Sequence, residues 1–369
     1  MNRVVFIAHS SSLHGAEQVM LTTIRVARQA GCAVWAVLPS HAPDEGLRDA
    51  LSEQIGTDRI LRLPYRSAGK GLLRTLLVRL FNLPAAWHLS RWCRRNGIDT
   101  VFSDTSVTIL GISAARLGGI RHLWHFHEPP AAFYGWQPSM RGIYRRCLAY
   151  DRNRVIFIAR AQQQAWQQEL GIPIAGEVIY NPIARIPQRA KEAHEGIRIG
   201  YLGSFEPRKN VGLLLNTFEQ LHRLYPATSL WLCGAKDEAE REAWQARTTL
   251  PESMVQVSLH TGNVAAFYAA IDILVLPSES ETMPLVAVEA MQAGVCVVQT
   301  THSYLSELYT DDKDCLFVNP NDPAGWLTAL QRCMDAATRE RLARQGQTTT
   351  LQRDYNNLYT NLMSRLLCE

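Results

Sequence analysis

Along this chain, short runs of β-branched and aromatic residues alternate with segments of helical spacing almost without interruption. "VVFIA" (Val4–Ala8), "AVWAVLP" (Ala33–Pro39), "TVFSD" (Thr100–Asp104), "HLWHFH" (His122–His127) and "RVIFIA" (Arg154–Ala159) read as strands. Strands that alternate with helices belong to βαβ units, so the expected sheet is parallel. The segment "YNPIARIPQRAKEAHEG" (Tyr180–Gly196) breaks the rhythm with prolines, charges and no periodicity, and reads as a linker. Beyond it the alternation restarts with "IRIGYLG" (Ile197–Gly203), followed by Val211, Leu214, Leu215, Phe218 and Leu221 at amphipathic-helix spacing. "SLWLCG", "VQVSLHTG", "DILVLPS", "VCVVQT" and "CLFVNP" continue as strands. With 369 residues, the chain exceeds the usual size of one hydrophobic core. The expected fold is α/β, with two Rossmann-like, doubly wound domains facing across a cleft. These span residues 1–185 and 186–350, and a last helix over 351–369 packs back toward the first domain. Ligands in such sheets bind beyond the carboxyl ends of the strands.

Composition narrows the class. Hydrophobic residues make up 47% and charged residues 20%, ordinary values for a soluble globular chain. No apolar run reaches the roughly 18 residues of a membrane span. The opening "MNRVVFIAHSSS" has too short an apolar stretch for a signal peptide and reads as the first strand. Eight scattered cysteines, without a CxxC pair or metal-ligand rhythm, point to reduced thiols in a cytoplasmic protein. The net charge of +4 is modest, and nucleic acid is not an expected partner.

Two acids stand out within "PSESETMPLVAVEAM" (Pro277–Met291), where Leu285, Val288 and Met291 recur at helical spacing. Thr282 is the expected N-cap, and Pro284 suits a first helical turn. Glu281 precedes this helix in the loop leaving a strand, and Glu289 lies eight residues on, about two turns along. A carboxylate costs several kcal/mol to bury unless paired. Two so spaced could hold two hydroxyl-bearing parts of one elongated ligand, or be a capping acid and a buried acid paired with an arginine. In "GYLGSFEPRKNVGLLLNTF" (Gly200–Phe218), Arg208 and Lys209 sit between a strand and a helix N-terminus, a combination suited to phosphates.

The set "GSFEPRKN", "LHTGNVAAFYAAIDILVLPS" and "ESETMPLVAVEAMQAGVCVV" resembles the C-terminal half of the retaining glycosyltransferases of family four, which have the GT-B fold. Glu281 and Glu289 match that family's E-x7-E motif. "LHGAEQVML" stands where the family has a Gly-Gly-Ala-Glu turn, "WHFHEP" where it carries a strand-end histidine, and "VIYNPI" before the crossover. The resemblance implies that residues 1–185 bind the acceptor and 186–350 a nucleotide-sugar donor. Lys209, helped by Arg208, would neutralise the donor diphosphate, and Glu289 would accept from the ribose hydroxyls. Glu281 would touch the transferred sugar, with backbone N–H groups near Thr282, Met283 and Pro284 alongside and His127 on the sugar's other side. Gly15 would let the first loop approach the donor. The base would lie against backbone between Gly262 and Val264.

Two positions depart from the pattern. Ser204 replaces a frequent arginine, so one phosphate contact is missing or supplied by Arg208, and His14 replaces the first glycine of the usual pair. The resemblance implies same-face attack with retention, the leaving phosphate taking the acceptor's proton. No essential metal or cofactor is expected; "TDD" (Thr310–Asp312) falls in a late loop rather than forming an Asp-x-Asp site. The competing functions are a nucleotide-sugar epimerase of the same fold, a glycan phosphorylase lacking a defensible Schiff-base lysine, and a nucleotide-sugar-binding protein without turnover.

Charge is unevenly placed. Between Asp58 and Asp99 there is no acidic residue, but Arg59, Arg62, Arg66, Lys70, Arg74, Arg79, Arg91, Arg94 and Arg95 are there. Leu72, Leu73, Leu76, Leu77, Leu80 and Phe81 are interleaved with them and read mostly as core, followed by Trp87 and Trp92. Arg141, Arg145, Arg146, Arg152 and Arg154 form a second group near Tyr134 and Trp136. Such a surface suits an anionic membrane. The expected acceptor is a glycan, such as one carried on a polyprenyl diphosphate for a bacterial surface polysaccharide or lipopolysaccharide. The expected location is the cytoplasmic side, peripheral on the inner face of the cytoplasmic membrane.

Overall fold

The computed structural model describes residues 1–13, 15–40, 46–67, 72–130, 138–183, 185–187 and 189–369. His14, Lys70, Tyr134 and Trp136, and the side chains of residues 72–77 and 79, lie outside the described set. The chain divides into two compact units, Met1–Pro182 with Tyr355–Glu369, and Ile183–Asp354.

The first unit holds strands β1 (Arg3–Ile7), β2 (Ala33–Pro39), β3 (Ile60–Leu63), β4 (Thr100–Ser103), β5 (Arg121–Phe126), β6 (Asn153–Phe157) and β7 (Gly176–Val178). They pair in parallel in the order β3-β2-β1-β4-β5-β6-β7. Val4, Val5, Phe6 and Ile7 are all fully buried, as a strand covered on both faces requires. The second unit holds β8 (Ile197–Leu202), β9 (Thr228–Ala235), β10 (Val255–Leu259), β11 (Ile273–Leu276), β12 (Cys296–Thr300) and β13 (Leu316–Val318). Their order is β10-β9-β8-β11-β12-β13, again all parallel.

Both unit boundaries differ by a few residues from those read in the sequence. The first falls after Pro182 rather than after residue 185. Ile183 and Ile186 are buried, and the Ile186 N–H donates to Gln292 Oε1 at 2.5 Å, tying this stretch to the second unit. The last helix is Tyr355–Cys368, because Leu351 and Gln352 complete the preceding helix Ala336–Gln352. Asp354, at φ 39°, turns the chain between them. Tyr359, Met363, Leu366 and Leu367 then enter the core of the first unit beside Val19, Met20 and Ile24.

Candidate functional site

In the second sheet β8 lies beside β11, and the order reverses there: β9 and β10 continue on one side, β12 and β13 on the other. Such a switch point opens a crevice at the carboxyl ends of the strands, where successive connections part. Lys209 follows β8, in the short 3-10 turn Pro207–Lys209, and Glu281 follows β11. The strand order brings them together, with Lys209 Nζ 2.5 Å from Glu281 Oε1. The Ser278 hydroxyl donates to the same oxygen at 2.7 Å. Lys209 is 19% exposed and Glu281 10%, so this is a sheltered pair. Asn210, at φ 54°, turns the chain into the helix Val211–Leu224, whose N-terminus therefore faces this loop region. Arg208 Nε donates to Glu206 at 2.9 Å, and its carbonyl accepts from the Glu279 N–H at 2.8 Å.

The loop after β11 corrects one local expectation. Thr282 is not an N-cap: the helix is Leu285–Gln292, and Pro284 takes the cap position without a side-chain hydrogen bond. The residues before it are held extended, since the Glu281 N–H donates to the His302 carbonyl and the Tyr304 N–H to the Thr282 carbonyl. Pro284 also has no N–H to offer, which leaves Thr282 and Met283 as the donors of that segment; the Met283 side chain is buried. Glu289 lies in the second turn, and its partner is a tyrosine: Tyr268 donates its hydroxyl proton to Glu289 Oε2 at 2.9 Å. Burial raises the Glu289 carboxyl above its ordinary range, with the Tyr268 hydrogen bond opposing the shift.

Gly234, at φ +149°, illustrates how tightly the strand ends are built: a Cβ there would lie 1.9 Å from the Gly203 carbonyl oxygen. Gly15 is different. It opens the helix Gly15–Gln29, and an added Cβ would meet no atom within 4 Å among the described residues, so these make no demand for glycine there. Val264 begins the short helix Val264–Ala270, capped by the Asn263 side chain accepting from the Ala266 N–H.

His127 lies in the first unit, just past β5, and is 8% exposed. Its Nε2 is 3.5 Å from Asp104 Oδ1, and its ring centroid is 4.0 Å from that of His125. Burial lowers both histidines' affinity for a proton and raises the Asp104 carboxyl well above the usual range, with the Glu17 charge adding to the latter. Glu17 is itself buried, accepts from the Ser10 hydroxyl at 2.8 Å and lies 3.1 Å from His9 Nδ1. Sequence reasoning passed over Asp104, His125, Glu17, Tyr268 and Ser278. The available signals were an acid at the end of "TVFSD" and the His-x-His spacing, which puts two rings on one strand face.

The basic interval also resolves into faces. On the helix Leu72–Arg95, Val78, Asn82, Ala85, Ala86, Leu89 and Cys93 are buried, while Leu80, Leu83 and Trp87 are 59%, 63% and 54% exposed. Leu80 and Phe81 are thus not core, because they fall on the outward side of the turn. Leu80, Leu83, Trp87, Arg91 and Arg94 follow the three- and four-residue steps of one helix face. Arg91 covers the Trp87 ring at 4.9 Å and Arg66 the Phe81 ring at 5.2 Å. Trp92 instead turns inward, edge-on to Trp35. In the second basic group, Arg141 pairs with Glu169 at 2.6 Å, while Arg145 and Arg152 donate to the Leu170 and Gly119 carbonyls. Among the described residues no helix is long and apolar enough to cross a membrane.

Comparison with known proteins matches both halves. Residues 13–185 fit the family model for glycosyltransferase family 4, and residues 183–349 that for glycosyl transferases group 1. The lipopolysaccharide core biosynthesis glycosyltransferase LpsE of Rhizobium meliloti is 26% identical over 241 residues, 62% of this chain and 68% of that protein. An uncharacterized glycosyltransferase of Haemophilus influenzae is 27% identical over 150 residues, 40% of this chain; the chain spans only 41% of that relative's length. Among solved structures, Anabaena HepE in complex with UDP superposes with a TM-score of 0.79 at 18% identity, covering 100% of both chains. HepE in complex with UDP-glucose gives 0.77 at 18% identity over 99% of each. These structures share the two-domain GT-B fold with this chain.

Proposed function

Since the chain belongs to the family 4 glycosyltransferases of the GT-B fold, we propose that it transfers a sugar from a nucleotide-sugar donor to a glycan acceptor with retention of anomeric configuration. The observation that carries the proposal is the Lys209–Glu281 pair at the switch point of the second sheet, with Glu289 in the helix that follows. Breaking a glycosyl phosphate develops positive charge on the sugar and negative charge on the departing diphosphate. Lys209, Arg208 and the N-terminus of Val211–Leu224 are fixed positive groups suited to the second of these. Glu281 and His127 are assigned to the transferred sugar, and Glu289 to the ribose hydroxyls. Proton transfer from acceptor to leaving phosphate needs no side-chain base, and the proposed reaction needs no essential metal.

HepE binds UDP and UDP-glucose, which makes a UDP-sugar the first donor to try. LpsE acts in lipopolysaccharide core biosynthesis, which favours a lipid-linked acceptor at a membrane surface. The outward stripe of Leu80, Leu83, Trp87, Arg91 and Arg94 suits peripheral binding to an anionic leaflet on the cytoplasmic side. Melting curves with UDP-, GDP-, ADP- and dTDP-sugars test the donor, because a ligand that binds only the native state raises the midpoint. Nucleotide release that requires acceptor supports transfer. Release without acceptor points to an epimerase, and binding with no release in either condition points to a protein without turnover.

A further inference from the structure

The first sheet has its own switch point, between β1 and β4, and a second group of polar side chains gathers beside it. β4 pairs with β5 in the register Ser103 to Trp124, so the next residues along, Asp104 and His125, sit side by side past the last paired position. His127 shares a strand face with His125. Their donor atoms all lie within 4.8 Å of one another, and all three residues are buried. Neither Asp104 oxygen, neither His125 nitrogen and not His127 Nε2 has a hydrogen-bond partner among the described residues. Leaving such buried atoms unsatisfied is costly, most of all for an ionised carboxylate.

A proton passed between Asp104 and one imidazole would satisfy a single pair and leave the other atoms unmet. We propose that Asp104, His125 and His127 form a binding site for one transition-metal dication of the Zn2+ class. Two imidazoles and one carboxylate are a donor set such an ion takes, and a fourth position remains for water. With ligand bonds of about 2.1 Å, tetrahedral geometry puts neighbouring donors roughly 3.4 Å apart. His127 Nε2 and Asp104 Oδ1 already stand at 3.5 Å, close to that span. Glu17, whose charge acts on Asp104, adds a second buried carboxylate to balance the dication.

A filled site would take His127 Nε2 away from any sugar. That consequence, inhibition of transfer, rests on the function proposed above; the site itself does not. The test uses the full chain, stripped of metal and dialysed against Zn2+, with Co2+ as a visible probe of coordination. One ion per chain is expected. His125→Leu should weaken binding by more than about 100-fold, the upper figure for losing merely an outer-sphere partner, and the exposed-site control His88→Leu should not. Should His125→Leu fail to fold, the near-isosteric Asp104→Asn carries the same expectation. No stoichiometric uptake by the wild-type chain, or uptake that survives these substitutions, overturns the site in favour of a proton-sharing network. Zn2+ binding that leaves transfer untouched keeps the site and removes His127 from the donor reading.

Discussion

Lys209→Ala is the most informative perturbation, because the side chain's observed ion pair and its proposed contact with the diphosphate can be separated. Lys209 is not an exposed loop lysine: it is 19% exposed and closes on Glu281 at 2.5 Å. Removing it leaves the Glu281 carboxylate to the Ser278 hydroxyl among the described side chains. Breaking a fully buried pair costs about 3–5 kcal/mol and a surface pair about 0–1. This sheltered but not sealed pair should fall between, at roughly 1–3 kcal/mol. For a unit of this size 1 kcal/mol moves the midpoint by about 2–4 °C, so a drop of several degrees is expected. Glu281→Gln in the same background should recover part of it, since no uncompensated carboxylate then remains. Donor binding behaves differently. One charge-assisted contact to the diphosphate is worth about 1.5–3 kcal/mol, so Lys209→Ala should weaken nucleoside diphosphate binding roughly 10- to 100-fold, and Glu281→Gln should not restore it. The assays are differential scanning calorimetry and nucleotide titration on the four members of the cycle. Strict additivity in the melting data would show that the ion pair does not exist in solution. Unchanged nucleotide affinity in Lys209→Ala would remove Lys209 from the phosphate site.

Glu289→Gln should chiefly raise the donor KM and the Ki of the free nucleoside diphosphate, whereas Glu281→Gln should chiefly lower kcat; identical behaviour of the two variants would refute the division. The raised Glu289 carboxyl means that the folded state holds a proton the unfolded chain releases above the ordinary value of 4.5. Stability from this group is therefore full below 4.5 and is lost as pH rises through the raised value, while acceptance from ribose hydroxyls is lost as pH falls through it. Tyr268→Phe, which deletes the hydrogen bond opposing the shift, should move both transitions to higher pH, and nucleotide titrations across pH would show it. His127→Ala should depress kcat while leaving free nucleotide affinity within about twofold, as expected for a group outside the nucleotide contacts. Sedimentation with anionic vesicles should fall as salt rises and fall further in Arg91→Glu/Arg94→Glu and in Trp87→Ser, with nucleotide affinity unchanged; indifference to anionic vesicles at low salt would favour a soluble acceptor.

What the sequence disclosed follows from how locally each feature is encoded. Glu281 and Glu289 share one stretch of chain, so their spacing survived as a pattern even though the helix begins only at Leu285. β3 and β7 went unread because "ILRL" lies among arginines and "GEV" holds a glycine and a charge, whereas the equally short edge strand β13 lies within the apolar run "CLFV". Trp87 and Trp92 look equivalent beside the arginines, yet five residues turn a helix by about 140°, and one ring faces out while the other packs on Trp35. The pairings that matter most for chemistry have no local signature. Lys209 and Glu281 are 72 positions apart, and Asp104 meets His125 only because β4 and β5 pair in that register. In each unit the decisive step is strand order: the sheet reverses between β8 and β11, and between β1 and β4, and the chain emerging there carries the charged residues. Periodicity can locate the strands, but it says nothing of which become neighbours. A motif match can therefore name Lys209 and Glu281 separately, and their contact, like that of Asp104 with the two histidines, is a property of topology alone.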